Sequence, residues 1–432
     1  MPIHPLEDLI RFVREHSPYY RDLYAAVPPG ETRLAALPLV SQNEFWDANA
    51  HGENRLLTGP LHDGVVFKSG GTTGNPKLSV FRREEWDEFC GAFGRGIAAG
   101  GVEPGERVAN LLYVGELYAS FLCLHRSLEL CPVPVVQFPI GGAAPLESIA
   151  AAVFEFGIQT LIGAPTSIMT IAEHLAAYAR RHGGSQIRKV RFGGEPMYPD
   201  QRAHLAELFP GIEIRSLGCA SVDAGLLGYA DPSCGPDEHR AFGGDTILEI
   251  VDDDSGTPIT ETGRPGRLVV TNLNRLLMPI VRYPSGDRAE WVEPSGQARD
   301  RKFRLLGRAE EGARVGPVTF YYDDVKPILA AFHQRLSVVN YQLRITHEQR
   351  HDRLALVIAV SDPAAVPESA TRELLAELLA QRPMLRDCER AGKIHPTRIE
   401  WVSAPSLAVN PRTGKLRRVL DERDRDRRQD SA

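Results

Sequence analysis

The chain has no long apolar run: its longest, at 133–136 and 354–360, fall far short of the roughly 20 residues that a spanning helix needs. Cysteine is scarce and unpaired. The six, at positions 90, 123, 131, 219, 234 and 388, form no C-x-x-C pair, which argues against a zinc ribbon or a redox dithiol and for buried free thiols. Cys234 and His239 sit five apart without a second pair, which is too little for a metal site. Charge of one sign is also lacking. Fifty Lys plus Arg against fifty-six Asp plus Glu leave a net charge of −6, so there is no basic footprint for nucleic acid or an anionic membrane. The start, Met1-Pro2-Ile3-His4, has neither the basic nor the apolar region of a secretory signal, and a cytoplasmic location is the expectation. Repeats, low-complexity tracts and Pro/Ser-rich linkers are missing as well.

What remains is an ordinary globular composition, 43% apolar and 25% charged over 432 residues, long enough for two domains and suited to a small-molecule partner. Short β-rich runs at 65–67, 107–113, 133–138, 160–162, 187–192 and 212–217 alternate with helical patterns at 84–96, 117–128, 145–156, 167–181 and 199–208. This rhythm predicts an α/β fold with a largely parallel sheet. After residue 240 the runs are broken by turn chemistry, as in Thr262-Gly263-Arg264-Pro265-Gly266, and an antiparallel or barrel-like portion is expected. A small α+β pattern closes the chain: an apolar run at 354–360, an amphipathic helix at 369–381 and a strand near 399–402. The boundary is placed at 306/307, giving domains 1–306 and 307–432. The last residues, Asp421 to Arg428, alternate in charge like a solvated helix end.

The stretch richest in chemistry is Ser69-Gly70-Gly71-Thr72-Thr73-Gly74-Asn75-Pro76-Lys77, directly after an apolar run. Glycines let the backbone approach an anion, threonine hydroxyls bond phosphate oxygens, and lysine supplies charge. A flexible turn would look similar, and the spacing of Lys77 after Gly74 is not that of a Walker A loop.

The loop resembles the phosphate-binding signature of the adenylate-forming superfamily, which holds acyl-CoA synthetases, nonribosomal peptide synthetase adenylation domains and luciferases. Three further segments follow in that superfamily's order. Arg282-Tyr283-Pro284-Ser285-Gly286-Asp287 is similar to the motif whose aspartate grips the ATP ribose. Leu306-Gly307-Arg308-Ala309-Glu310-Glu311 resembles the segment that opens a small mobile C-terminal domain and carries a nucleotide-contacting arginine. Asn410-Pro411-Arg412-Thr413-Gly414-Lys415 resembles the loop with the adenylation lysine. Singly, Asp287 reads as a turn residue and Lys415 as a surface lysine; their order reverses that. Ser17-Pro18-Tyr19-Tyr20-Arg21-Asp22-Leu23-Tyr24, Gly193-Gly194-Glu195-Pro196 and Met278-Pro279-Ile280-Val281 are similar to the phenylacetate–CoA ligase branch. There is also a likeness to the adenylating enzymes of phenazine antibiotic tailoring.

The resemblance implies an AMP-forming acid–CoA ligase using ATP, magnesium and coenzyme A. The domain 1–306 would bind AMP and acid; the domain 307–432 would be a lid with Lys415. Ser69, Gly70, Gly71, Thr72, Thr73, Gly74 and Lys77 would take the phosphates, Gly194, Glu195, Pro196 and Gly218 the adenine, and Asp287 and Arg308 the ribose. The acid, an aromatic one by the branch likeness, would lie in a slot lined by Phe138, Ile140, Ala164, Pro165, Cys219 and Ala220. His125 reads as an ordinary helix histidine. Leu217-Gly218-Cys219-Ala220-Ser221 departs from the family's Tyr-Gly-x-Thr/Ser-Glu. The adenine-stacking aromatic and the magnesium glutamate are replaced by Leu217 and Ser221, and Asp223 is the candidate to take over the metal. Two alternatives stand beside the ligase: delivery of the adenylate to a carrier protein or reductase, and a non-catalytic nucleotide or acid sensor. A homodimer is common in the branch. Because Lys415 would act on charge that develops during the reaction, Lys415→Ala is expected to lower pyrophosphate release at least about 100-fold while calorimetric ATP affinity is nearly unchanged.

Overall fold

The computed structural model describes residues 4–49, 53–68, 77–184, 186–194, 197, 199–252, 255–296, 300–308, 312–315, 318–322, 325–348, 351–392, 394–409 and 416–422. The chain divides into two compact units, Met1–Leu306 and Gly307–Ala432. No helix among the described residues is long and apolar enough to cross a membrane.

The first unit is built on a five-stranded parallel sheet, ordered Val136–Pro139, Arg107–Asn110, Thr160–Gly163, Lys189–Phe192, Glu213–Ser216. Side chains alternate across it with the period of two that a strand imposes. Ala109 and Leu161 face one core with Ile149, Val153, Ile171 and Leu175 of the helices Leu146–Glu155 and Pro165–His182. Val108 and Ile162 face another with Phe89, Phe93, Leu124 and Leu128 of the helices Arg83–Ala99 and Ser120–Glu129. Burial on both faces is why these strands read as apolar runs. The edge strand begins later than its apolar run because Pro132 and Pro134 have no N–H to give a ladder.

Seven antiparallel strands form a second sheet, from Thr246–Val251 at one edge through Gly266–Asn272, Tyr283–Trp291, Lys302–Arg308, Glu238–Ala241 and Gly225–Tyr229 to Cys219–Ser221 at the other. No ladder among the described residues closes it into a barrel, so the barrel-like portion is an open sheet. Its core joins Leu227, Ile250, Val270 and Tyr283 to Leu9, Tyr20 and Phe45 of the N-terminal helices Leu6–His16, Pro18–Leu23 and Gln42–Ala48. Tyr20 is the pin: its buried hydroxyl donates to Pro279 O and accepts from Val281 N–H, both at 3.0 Å.

The second unit holds a long hairpin, Val338–Glu348 with His351–Val360, flanked by the parallel strands Arg398–Val402 and Val419–Asp421. The helices Glu368–Gln381 and Pro383–Arg390 cover it through Leu374, Leu378 and Leu385.

Arg282 holds a backbone conformation rare for a side-chain-bearing residue, φ +47°. It is buried, with Nε and Nη2 each 3.0 Å from the Glu249 carboxylate. Its carbonyl accepts from Val40 N–H at 3.1 Å, which joins the N-terminal segment to the strand carrying Asp287. Removing one partner leaves a buried charge unpaired, so Arg282→Met is expected to cost about 3–5 kcal/mol in urea unfolding.

Candidate active site

The parallel ladder does not stop where the strands do. Gly141 N–H donates to Asn110 O at 2.8 Å, Leu111 N–H to Ile162 O at 2.8 Å, Gly193 N–H to Gly163 O at 3.2 Å and Leu217 N–H to Phe192 O at 2.7 Å. The loops leaving the carboxyl edge therefore start in register; Ile140 and Ala164 stand one residue, and Gly194 and Gly218 two residues, beyond the ends of their strands. The strand order places the second strand of the chain outside the first and the third on its other side, so crossovers diverge between Arg107–Asn110 and Thr160–Gly163. Ligands of open α/β sheets bind at such a divergence, outside the carboxyl ends. Ala164 and Pro165 open a helix there.

Gly218, two residues past the strand Glu213–Ser216, has φ +126°, and an added Cβ would lie 2.7 Å from Gly228 O; only glycine fits. Its N–H donates to Ser216 Oγ at 3.1 Å, and Ser216 Oγ lies 2.8 Å from Nε2 of the buried His239. Cys219 follows. Burial, and then the nearby Asp287 carboxylate, push its thiol well above the usual range, so it stays protonated and unreactive at neutral pH. Asp287 is near enough to act electrostatically on that thiol, and its N–H donates to Ser285 Oγ at 3.2 Å.

The buried Asp223 carboxylate gathers donors. Its Oδ2 accepts from Tyr283 Oη at 3.2 Å and from Lys77 Nζ at 3.3 Å. Tyr283 Oη accepts in turn from Trp46 Nε1 at 2.9 Å. Gln42 Oε1 lies 3.4 Å from Lys77 Nζ, while Gln42 Nε2 donates to Pro284 O at 2.6 Å. Lys77, the last residue of the phosphate-loop motif, is in this way tied to the Asp287 strand. Gln42 and Trp46 were missed by sequence reasoning; the one available signal was polar side chains on a short helix next to a motif-bearing strand.

Other expected residues are placed differently. Leu217, where the superfamily has an aromatic, is buried among Phe89, Phe93 and Leu124. Phe138 stacks near Phe156, centroids 5.5 Å apart, with the Arg107 guanidinium 5.3 Å from its ring, so its ring is taken up by edge packing. Ala220 is exposed, and Ser221 Oγ accepts from Ala224 N–H at 2.9 Å, a local turn. His125 Nδ1 lies 2.9 Å from the Gln137 side chain on its own side of the sheet. Arg308 ends the strand Lys302–Arg308, its side chain outside the description. Ser69, Gly70, Gly71, Thr72, Thr73, Gly74, Glu195, Pro196 and Lys415 lie outside the described residues. All six cysteines are free.

This arrangement is the fold of the adenylate-forming enzymes. The chain superposes on 2-hydroxyisobutyryl-CoA ligase, solved in a postadenylation state with its acyl-AMP, with a TM-score of 0.74 at 22% identity, over 98% of this chain and 90% of that one. No family model matches the chain. The particular likeness is to phenylacetate–coenzyme A ligases. The chain is 27% identical to that of Thermus thermophilus, over 97% of this chain and 95% of the other. It is 24% identical to that of Aromatoleum evansii, over 96% and 92%. The likeness first read from short motifs thus extends along nearly the whole length.

His239, which steadies Ser216 and through it Gly218, is held neutral: burial lowers its pKa from 6.5 to about 4. The unfolded chain therefore binds one more proton than the folded one between these values, and stability falls as pH drops through that window. Going from pH 7 to pH 5 is expected to remove about 2 kcal/mol through this group. His239→Gln should lack that share of the loss when urea unfolding is compared at the two pH values.

Proposed function

We propose that this protein activates a small aromatic carboxylic acid as its acyl-adenylate, at the expense of ATP, and then passes the acyl group to coenzyme A. The observation that carries this reading is the ordered carboxyl edge of the parallel sheet, with Ile140, Ala164, Gly194 and Gly218 within two residues of its strand ends and Lys77 tied through Asp223 to Tyr283 of the Asp287 strand. The likeness to phenylacetate–coenzyme A ligases supports the acid class and the acceptor.

The acid would lie at the divergence of the parallel strands, against Ile140, Ala164 and Pro165 and short of Cys219. The nucleotide would pass Gly194 and Gly218, its ribose hydroxyls on Asp287 and Arg308. The carboxylate oxygen attacks the α-phosphorus, the bond to the β-phosphate oxygen breaks, and pyrophosphate leaves. Little covalent work falls to the protein, whose part is positioning and charge stabilisation. The phosphate loop 69–74 with Lys77 takes the β- and γ-phosphates, and Lys415 meets charge at the α-phosphate. Unit 1–306 is in this reading the nucleotide and acid domain, and unit 307–432 the lid.

Magnesium would be held by Asp223 and Ser221. Their oxygen atoms suit a hard ion, which usually needs only one or two carboxylates when phosphates and water complete its shell. In the structure Asp223 already accepts from a cation, Lys77, so the two compete for one carboxylate.

The test is pyrophosphate release from ATP and magnesium with a panel of aromatic acids, with and without coenzyme A. Release that depends on the acid, with a thioester formed only when coenzyme A is added, is the expected result. Release without thioester would point to a carrier protein or reductase as acceptor. Binding of ATP or acid without release would leave the sensor reading.

A further inference from the structure

We infer that Gln342 is a positioning residue for the adenylation lysine, an inference that rests on the function proposed above and assigns the loop of Lys415 its anchor. Gln342 lies in the strand Val338–Glu348 and is 1% exposed. Its neighbours Tyr341, Leu343 and Ile345 belong to the apolar core under the helices. The other face of the hairpin carries a small cluster of Val357, Ala359 and Leu407, with Leu416 packed against it. Gln342 is paired in register with Val357 of that cluster, a position where an aliphatic side chain would be ordinary.

Every hydrogen bond of this buried amide goes to one of two residues. Nε2 donates to Ala408 O at 2.7 Å and to Arg417 O at 2.6 Å, and Oε1 accepts from Ala408 N–H at 3.0 Å. Arg417 N–H donates to Ala408 O at 3.0 Å, and Val409 bridges Leu416. One side chain thus ties Ala408 to Arg417, the described residues on either side of 410–415. Lys415 lies outside the described residues, but its covalent neighbour Leu416 and the next residue, Arg417, are both within this anchor. Leu343 N–H then donates to Arg418 O at 2.8 Å, and Val419–Asp421 continues as a parallel strand beside Leu343 and Ile345.

The physical argument is one of cost and precision. A buried amide with all its groups satisfied is tolerated, whereas one missing a partner is penalised, so Ala408 and Arg417 are held at one separation. Lysine is a flexible point charge on a four-carbon stem; aiming it requires that its backbone not drift. An apolar residue at 342 would still fill the cluster but would take the amide's bonds from Arg417 O and the Ala408 N–H, and would leave Ala408 O with the Arg417 N–H alone.

The experiment is a double-mutant cycle on the full chain, reading acid-dependent pyrophosphate release and calorimetric ATP affinity for the wild type, Gln342→Leu, Lys415→Ala and the double variant. Because misplacement on the scale of 1 Å can cost up to about 100-fold, Gln342→Leu is expected to slow release between about 10-fold and 100-fold, with ATP affinity within about twofold of wild type. In the Lys415→Ala background the same change should add less than about twofold, since a residue that acts through the lysine has nothing left to position. A full rate for Gln342→Leu, or an undiminished loss in the Lys415→Ala background, overturns the assignment. A silent Lys415→Ala variant in an active wild type removes the reading of the lysine and the anchor with it. Hydrogen exchange of the wild type reads the anchor without activity or substitution. The Ala408 and Arg417 amides should exchange as slowly as those of the hairpin strands, and exchange at the rate of open loops would overturn it.

Discussion

A parallel sheet covered on both faces has only its two ends through which to reach solvent, and this constraint organises the first unit. Val108 and Ile162 are committed to one helical layer and Ala109 and Leu161 to the other, so these side chains of the two inner strands are not free to touch a ligand. Chemistry has to happen where the chain leaves the sheet. The ladder hydrogen bonds that persist one residue beyond the strands make that exit orderly. They turn four sequence-distant loops into one aligned edge, with backbone rather than side chains as the first thing a ligand meets. Gly194 and Gly218 suit such an edge because they leave it open.

The antiparallel sheet meets this edge through Cys219–Ser221 and answers a second need, charge. Asp287 comes from a strand and Asp223 from the turn after Cys219–Ser221, and neutral groups hold each: Ser285 Oγ accepts from the Asp287 N–H, while Tyr283, which accepts from Trp46, donates to the Asp223 carboxylate. Where relatives in the superfamily hold a glutamate for metal, this chain has a serine engaged in its own turn and, two residues on, a carboxylate shared with Lys77. In the proposed function a lysine ammonium and a hard divalent cation would compete for the same oxygen, and that one carboxylate would couple Lys77 to the metal.

Motif and periodicity carry different kinds of information. The alternating apolar runs at 160–162 and 187–192 were legible because burial on both faces demands them, and the helix Pro199–Leu208 because its pattern is undisturbed. Residues 111–113 were misread as strand and 117–119 as helix. Gly115 and the left-handed Glu116 and Leu117 break the pattern there, and left-handed conformations in ordinary residues have no signature in composition. The N-terminal helices were seen only as a motif, since the work of Tyr20 is done against Pro279 and Val281, some 260 residues away.

By itself the sequence determined the class of chemistry. Glycines, threonines and lysine after a strand, an aspartate in its motif and a lysine near the end name a phosphate-handling enzyme through residue type and order, which survive without coordinates. Only the tertiary structure decided which of the proposed lining residues share an edge. Ile140 and Ala164 do, whereas Phe138 is absorbed by Phe156 and Arg107 and Leu217 by the core. It also decided that Asp223 has Lys77 for a partner and that Gln342 ties Ala408 to Arg417. The reason is physical: a side chain's type limits what it can bond, but its partner is set by the strand register and the burial that bring distant segments within hydrogen-bond reach.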